Sequence, residues 1–162
     1  MAKKPYEESI FSTFNVIVLM VIIVLLLYIV FFVEASGILG FLPFSLLLLF
    51  LLLIALYQFR RLDIRVEKWG LDVGYGMLRQ RIPWEYIEAA SIDERRAVTP
   101  GISLRNNGNS WRLAYYVPGF RRVSVKVRHN WYGEFVFSAR NPEELTEIIQ
   151  IRLKRKNKKK GQ

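Results

Sequence analysis

Two stretches of this chain carry no charge at all, and they set what it can fold into. Phe11 to Val33 reads FSTFNVIVLMVIIVLLLYIVFFV, and Gly37 to Tyr57 reads GILGFLPFSLLLLFLLLIALY. About 20 apolar residues, rising about 1.5 Å each, cross about 30 Å of hydrocarbon, so either stretch is long enough to span a bilayer. Each central Leu, Ile, Val or Phe favours insertion by roughly 0.3–0.6 kcal/mol, and Tyr28 alone does not offset the run from Val16 to Val33. A cleaved signal peptide fits poorly. The run is too long, no A-x-A-type site follows it, and a second apolar stretch comes at once. Only Glu34, Ala35 and Ser36 separate the two, which implies a tight antiparallel helical hairpin. Pro43 is placed to start or kink the second helix.

Charge orients the hairpin. The formal net charge of +10 divides into −1 over residues 1–59, +5 over 60–153 and +6 over 154–162. Lys3 and Lys4 precede the first span. Arg60, Arg61, Arg65 and Lys68 follow the second, and the connecting loop has only Glu34. The positive-inside rule therefore places both termini in the cytoplasm, in a two-span protein of the cell membrane. No ionisable side chain lies deep in either span, which argues against an ion or proton path through one hairpin. Asn15 and Ser45 suit hydrogen bonding between the helices. The absence of Cys excludes disulfides, thiolate metal sites and a Cys nucleophile. With a single His, at position 129, no metal and no cofactor is expected.

After Arg61 the apolar pattern changes to a period of two. Strands are expected at 62–68, 71–76, 77–82 and 85–95, then at 111–117, 121–129 and 134–139. A short strand at Ile102–Leu104 is expected within a long loop, 97–110. In 121–129, Val123, Val125 and Val127 face one way and Arg122, Ser124, Lys126 and Arg128 the other. Short strands at this spacing indicate an antiparallel barrel or sandwich. Asn141 is an N-cap, Pro142 suits the first helical position, and Glu144 completes a capping pattern. Leu145, Ile148, Ile149 and Leu153 then form one apolar helix face. The fold class is α+β: a transmembrane hairpin and an antiparallel β domain closed by a C-terminal helix. The domain plan is a cytoplasmic segment 1–9, a hairpin 10–59 (helices about 11–33 and 37–58), a domain 60–155 and a basic tail 156–162. The tail is expected to be unstructured when free.

Particular residues carry a family resemblance. VEKWGLDVGYGMLRQRIPWEYIEAA (66–90) resembles the opening of bacterial pleckstrin-homology-like (PH-like) domains, in which a G-L-x-V turn and strand lead to a segment ending I-P-W-x-x-I. FSARNPEELTEII (137–149) resembles their last strand and helix start. Two spans before such a domain look like small bacterial membrane proteins with a PH-like domain. The resemblance covers residues 62–155, with 97–120 unmatched, and implies a fold rather than an activity.

Catalytic patterns are absent. There is no G-x-x-x-x-G-K-[ST], G-x-S-x-G or H-E-x-x-H. Gly70, Gly74 and Gly76 read as turn and strand glycines, and His129 as a turn residue without a carboxylate or nucleophile partner. Glu143, Glu144 and Glu147 suit the helix dipole. The expectation is a protein without enzymatic activity. Its candidate contacts to anionic lipid headgroups or to a partner are Arg95, Arg96, Arg105, Arg121, Arg122, Lys126, Arg128, Lys158, Lys159 and Lys160. The bland alternative is a solvated face neutralised by Asp93, Glu94 and Glu134. Tethering at a membrane argues against nucleic acid. The expected function is a scaffold that binds a protein partner, or further copies of itself, at the cytoplasmic face. The rival is an accessory or pore-forming subunit of an oligomeric transporter or channel.

Overall fold

The computed structural model of the chain describes residues 6–35, 42–95, 100–106, 108, 110–128 and 131–160, and for 34–35 and 157–160 the backbone alone. The elements run β1 (Tyr6–Phe11), α1 (Thr13–Ala35), α2 (Leu42–Phe59), β2 (Arg61–Val66), β3 (Gly70–Tyr75), β4 (Leu78–Pro83) and β5 (Ile87–Asp93). They continue with β6 (Gly101–Asn106), β7 (Trp111–Tyr116), β8 (Arg121–Val127), β9 (Glu134–Ala139) and α3 (Pro142–Lys160).

α1 and α2 are long and apolar enough to cross a membrane, and only 11% and 6% of their span windows are buried. A helix of a soluble core would hide such a surface. α2 begins at Leu42, so Pro43 lies in its first turn, where a missing N–H costs nothing. Asn15 Nδ2 donates to the Phe59 carbonyl across 3.3 Å, joining the first turn of α1 to the last of α2. Ser45 Oγ donates to Leu42 O, within its own helix.

Within the N-terminal segment, for which no secondary structure was expected, Tyr6–Phe11 form a strand. β1 pairs antiparallel with β2, from Tyr6 opposite Val66 to Phe11 opposite Arg61. The Ser12 amide extends this ladder by donating to the Arg60 carbonyl at 2.8 Å. The two helices are therefore an insertion between neighbouring strands, and the domain starts before the helices.

Among the described residues the strands form two sheets, ordered β1-β2-β3-β4 and β5-β8-β9-β7-β6, and no closed barrel. The expectation of purely antiparallel pairing fails in the second sheet. There β9 inserts between β7 and β8 and runs parallel to β7. β9 belongs at the centre because both its faces are apolar or small, and Phe135, Val136, Phe137, Ser138 and Ala139 are all buried. Ser138 Oγ accepts from the Val117 amide at 2.9 Å, satisfying the chain where β7 ends.

The two sheets enclose one core, which holds Leu62, Ile64, Leu71, Val73, Val123 and Val125, and α3 adds Leu145, Ile149 and Leu153 to it. Tyr75 joins the parts. Its ring lies 5.6 Å from Phe59 and 5.9 Å from Tyr115, and its hydroxyl donates to Tyr116 O at 3.1 Å. Burial pushes the hydroxyl pKa of Tyr75 and of Tyr115 upward, because a phenolate there would lose its hydration. α3 starts as expected, with Leu145 N–H donating to Asn141 O at 3.1 Å. The basic tail does not break it, and the helix continues to Lys160. Lys and Arg are good helix formers, and their charge suits a helix C-terminus.

Candidate binding groove and the basic surface

β2 runs away from α2, so the β2–β3 turn and the end of β4 lie at the end of the first sheet opposite the helices. Trp84 ties this end together. Its amide donates to Trp69 O at 3.2 Å, and its indole Nε1 to Glu67 O at 3.1 Å. Lys156 Nζ of α3 donates to Trp84 O at 2.6 Å, and Gln150 Nε2 donates to Ala90 O at 3.1 Å. These bonds hold the last turns of α3 beside the two connections.

A groove of about 880 Å³ opens between them, lined by Lys68, Trp69, Pro83, Trp84 and Glu85 on one side and Arg152, Arg155 and Lys156 on the other. Four cations face one carboxylate. Among the described residues, Lys68, Arg152 and Arg155 have no ion pair. Trp69 is 43% exposed, which leaves an aromatic face beside the positive charge. Such a surface suits an anionic, partly apolar ligand. Arg152, Arg155 and Lys156 occupy one helix face at i, i+3, i+4, a signal readable from the sequence. Their approach to Lys68 and Trp69 is set by the fold.

The cations singled out from the sequence do not form one surface. Arg95 and Arg122 come together with Arg112 around two acids on the outer face of the second sheet. Asp93 faces Arg122 at 3.5 Å and Arg95 at 3.6 Å, and accepts a shorter bond from Arg112. Glu134 faces Arg95 at 3.3 Å and Arg112 at 3.7 Å, and accepts from Ser124 Oγ at 2.6 Å. Arg122 also lies over the Tyr116 ring at 5.6 Å. Arg121 pairs with Glu143 and Arg128 with Glu88, at opposite ends of β8. Arg105 on β6 and Lys126 on β8 are exposed and, among the described residues, without an ion pair. Arg96, His129 and the Glu34 side chain lie outside the described residues, as do the side chains of Lys158, Lys159 and Lys160.

Among the described residues no group of three or more His, Asp or Glu converges as a metal site. Gly70 and Gly74 lie in β3, and Gly76 in its turn, as structural glycines.

No curated protein and no solved structure matches the chain. One family does, described as "Protein of unknown function (DUF3093)", over residues 5–149. The match begins at the edge of β1 and ends within α3, so it covers hairpin and domain as one unit and stops short of the basic tail. By that extent the chain belongs to the DUF3093 family.

Proposed function

We propose that this chain is a non-enzymatic, membrane-anchored binding protein. α1 and α2 span the cell membrane with both termini in the cytoplasm. The domain, PH-like in its order of strands and closing helix, presents the basic groove to an acidic segment of a protein partner. The parallel β7–β9 pair is a departure from a simple succession of hairpins.

One observation carries the reading. The groove holds cations without ion pairs beside an exposed Trp, and it lies at the end of the first sheet remote from the spans. A strand of six residues covers about 20 Å, so the bilayer that anchors the chain is far from it. Arg95, Arg121, Arg122 and Arg128 are engaged within the domain. In this reading the basic contacts to anionic lipid fall to Arg60 and Arg61, at the end of α2.

The test uses the full chain in nanodiscs of zwitterionic lipid and a labelled polyglutamate peptide. Binding should weaken with salt, as charge pairing at a partly exposed site does. It should be lost in the double variant Arg152→Glu, Arg155→Glu and retained in Arg128→Glu. Binding that ignores the groove variant, or is absent at low salt, removes the reading.

A further inference from the structure

We propose that the β3–β4 hairpin tip is a membrane-docking element, seated in the interfacial layer of the bilayer beside the end of α2. The inference rests on the reading of α1 and α2 as spans.

β3 runs toward the end of the domain that carries the helices and turns there through Gly76 and Met77. Two contacts fix the height of this turn. Gln58, in the last turn of α2, donates from Nε2 to the Tyr75 carbonyl at 3.1 Å. Gly76 has a φ of +49°, and a Cβ there would lie 2.5 Å from Gln58 Oε1. The tip is thus held against the terminal turn of a span, level with its end.

At that level several large apolar side chains are exposed, with Arg61 beside them. Met77, at the apex, is 89% exposed, and Leu78, Phe11 and Tyr57 are exposed at the same end. Tight turns in water favour Gly, Asn, Asp and Ser, so a Met projecting from an apex has neither a conformational nor a packing reason to be there. The lipid interface supplies one. The Arg60 guanidinium lies 4.3 Å over the Tyr57 ring, an aromatic and a cation placed as in an interfacial belt. Pro100 and Gly101 reach the same end, lining a small cavity of about 260 Å³ with Phe14, Asn15 and Phe59. The apex residue is uncharged, so the element reads the depth of the interface rather than a particular headgroup. The domain then has two attachments, the helix pair and the tip, and its groove is held facing away from the bilayer.

The chain has no Cys, so single cysteines report unambiguously. Three variants of the full chain in nanodiscs decide the matter: Met77→Cys at the tip, Lys68→Cys at the remote turn and Leu25→Cys inside α1. A charged, membrane-impermeant thiol reagent should modify Met77→Cys roughly tenfold more slowly than Lys68→Cys, as a side chain partitioned out of water requires. A fluorophore attached at the tip should be quenched by lipids brominated near the top of the acyl chain. Leu25→Cys should be shielded throughout. If Leu25→Cys is shielded while Met77→Cys reacts as fast as Lys68→Cys, the docking fails and the spans stand. Protection of the tip without quenching by lipid also overturns it, since protein would then be the cover. If Leu25→Cys reacts freely, the spans fail and the docking with them.

Discussion

Asp93 forms ion pairs with three guanidinium groups, those of Arg95, Arg112 and Arg122, with 2% of its side chain exposed. Asp93→Ala leaves Arg112 and Arg122, each 11% exposed, without their shared acid. Breaking a buried pair from one side costs on the order of 3–5 kcal/mol, and chemical denaturation of the protein should register a loss of that size. Arg128→Ala is the control. Its pair with Glu88 is solvent-exposed and worth about 1 kcal/mol or less. Gly74→Ala is a different kind of fault. The added Cβ would lie 2.4 Å from Leu78 O and Arg79 Cα, backbone atoms of the paired strand that cannot move aside singly. Overpacking of this sort costs about 1–3 kcal/mol, and the same denaturation assay reads it. The tyrosines set the alkaline limit. Tyr75 and Tyr115, buried, and Tyr6, partly buried and facing Glu8, all have raised pKa values in the folded chain. The unfolded chain loses these protons near pH 10 while the folded chain keeps them, so stability is full below about pH 10 and falls above it. A thermal midpoint that holds steady up to pH 12 would contradict this.

β1 and α3 show how far local pattern carries at the level of elements. β8 was legible, because Val123, Val125 and Val127 alternate with polar residues and are buried as the period of two requires. α3 was legible from its cap and its apolar face. β1 was not. YEESIF has one deeply buried residue, Ile10, and its inward positions include Glu8, which a pattern reading assigns to solvent. Glu8 is satisfied there by the Tyr6 hydroxyl at 2.5 Å, two residues away on its own strand, and by the Arg140 amide at 2.6 Å, a partner no local window contains. Ile10 lies opposite Leu62 and is fully buried, so Ile10→Ala should cost about 2–5 kcal/mol although the residue precedes both apolar helices. Protease resistance of the domain in detergent is the measurement. An unchanged digestion pattern would place β1 outside the folded unit.

For the whole molecule, the decisive feature is that the hairpin is an insertion. β1 ends and β2 begins side by side, with Phe11 opposite Arg61 and Ser12 bonded to Arg60. Replacing residues 13–59 by Asn-Gly, the two-residue turn suited to antiparallel neighbours, should yield a water-soluble domain that keeps its core. Cooperative unfolding of a monomer in detergent-free buffer is the expected result. A fragment starting at residue 61 lacks β1 and should unfold at lower temperature. If both behave alike, the pairing of β1 with β2 contributes nothing to stability.

The sequence by itself determined the apolar helices, the strand-then-helix order of the domain, the cap of α3 and the lack of any familiar catalytic pattern. Each of these is a property of neighbours along the chain, where periodicity and capping act within a few residues. Tertiary structure alone decided that β1 belongs to the sheet and that β9 lies between β7 and β8. It also decided which cations are engaged. Arg95 and Arg122 read from the sequence either as contacts or as part of a face neutralised by Asp93, Glu94 and Glu134, and the folded sheet brings both to Asp93. Lys68, Trp69 and Arg152 are far apart in sequence, yet they line one groove. Ion pairing and groove formation depend on distances in space between residues far apart in the chain, and those distances exist only once the two sheets and α3 have closed on their common core.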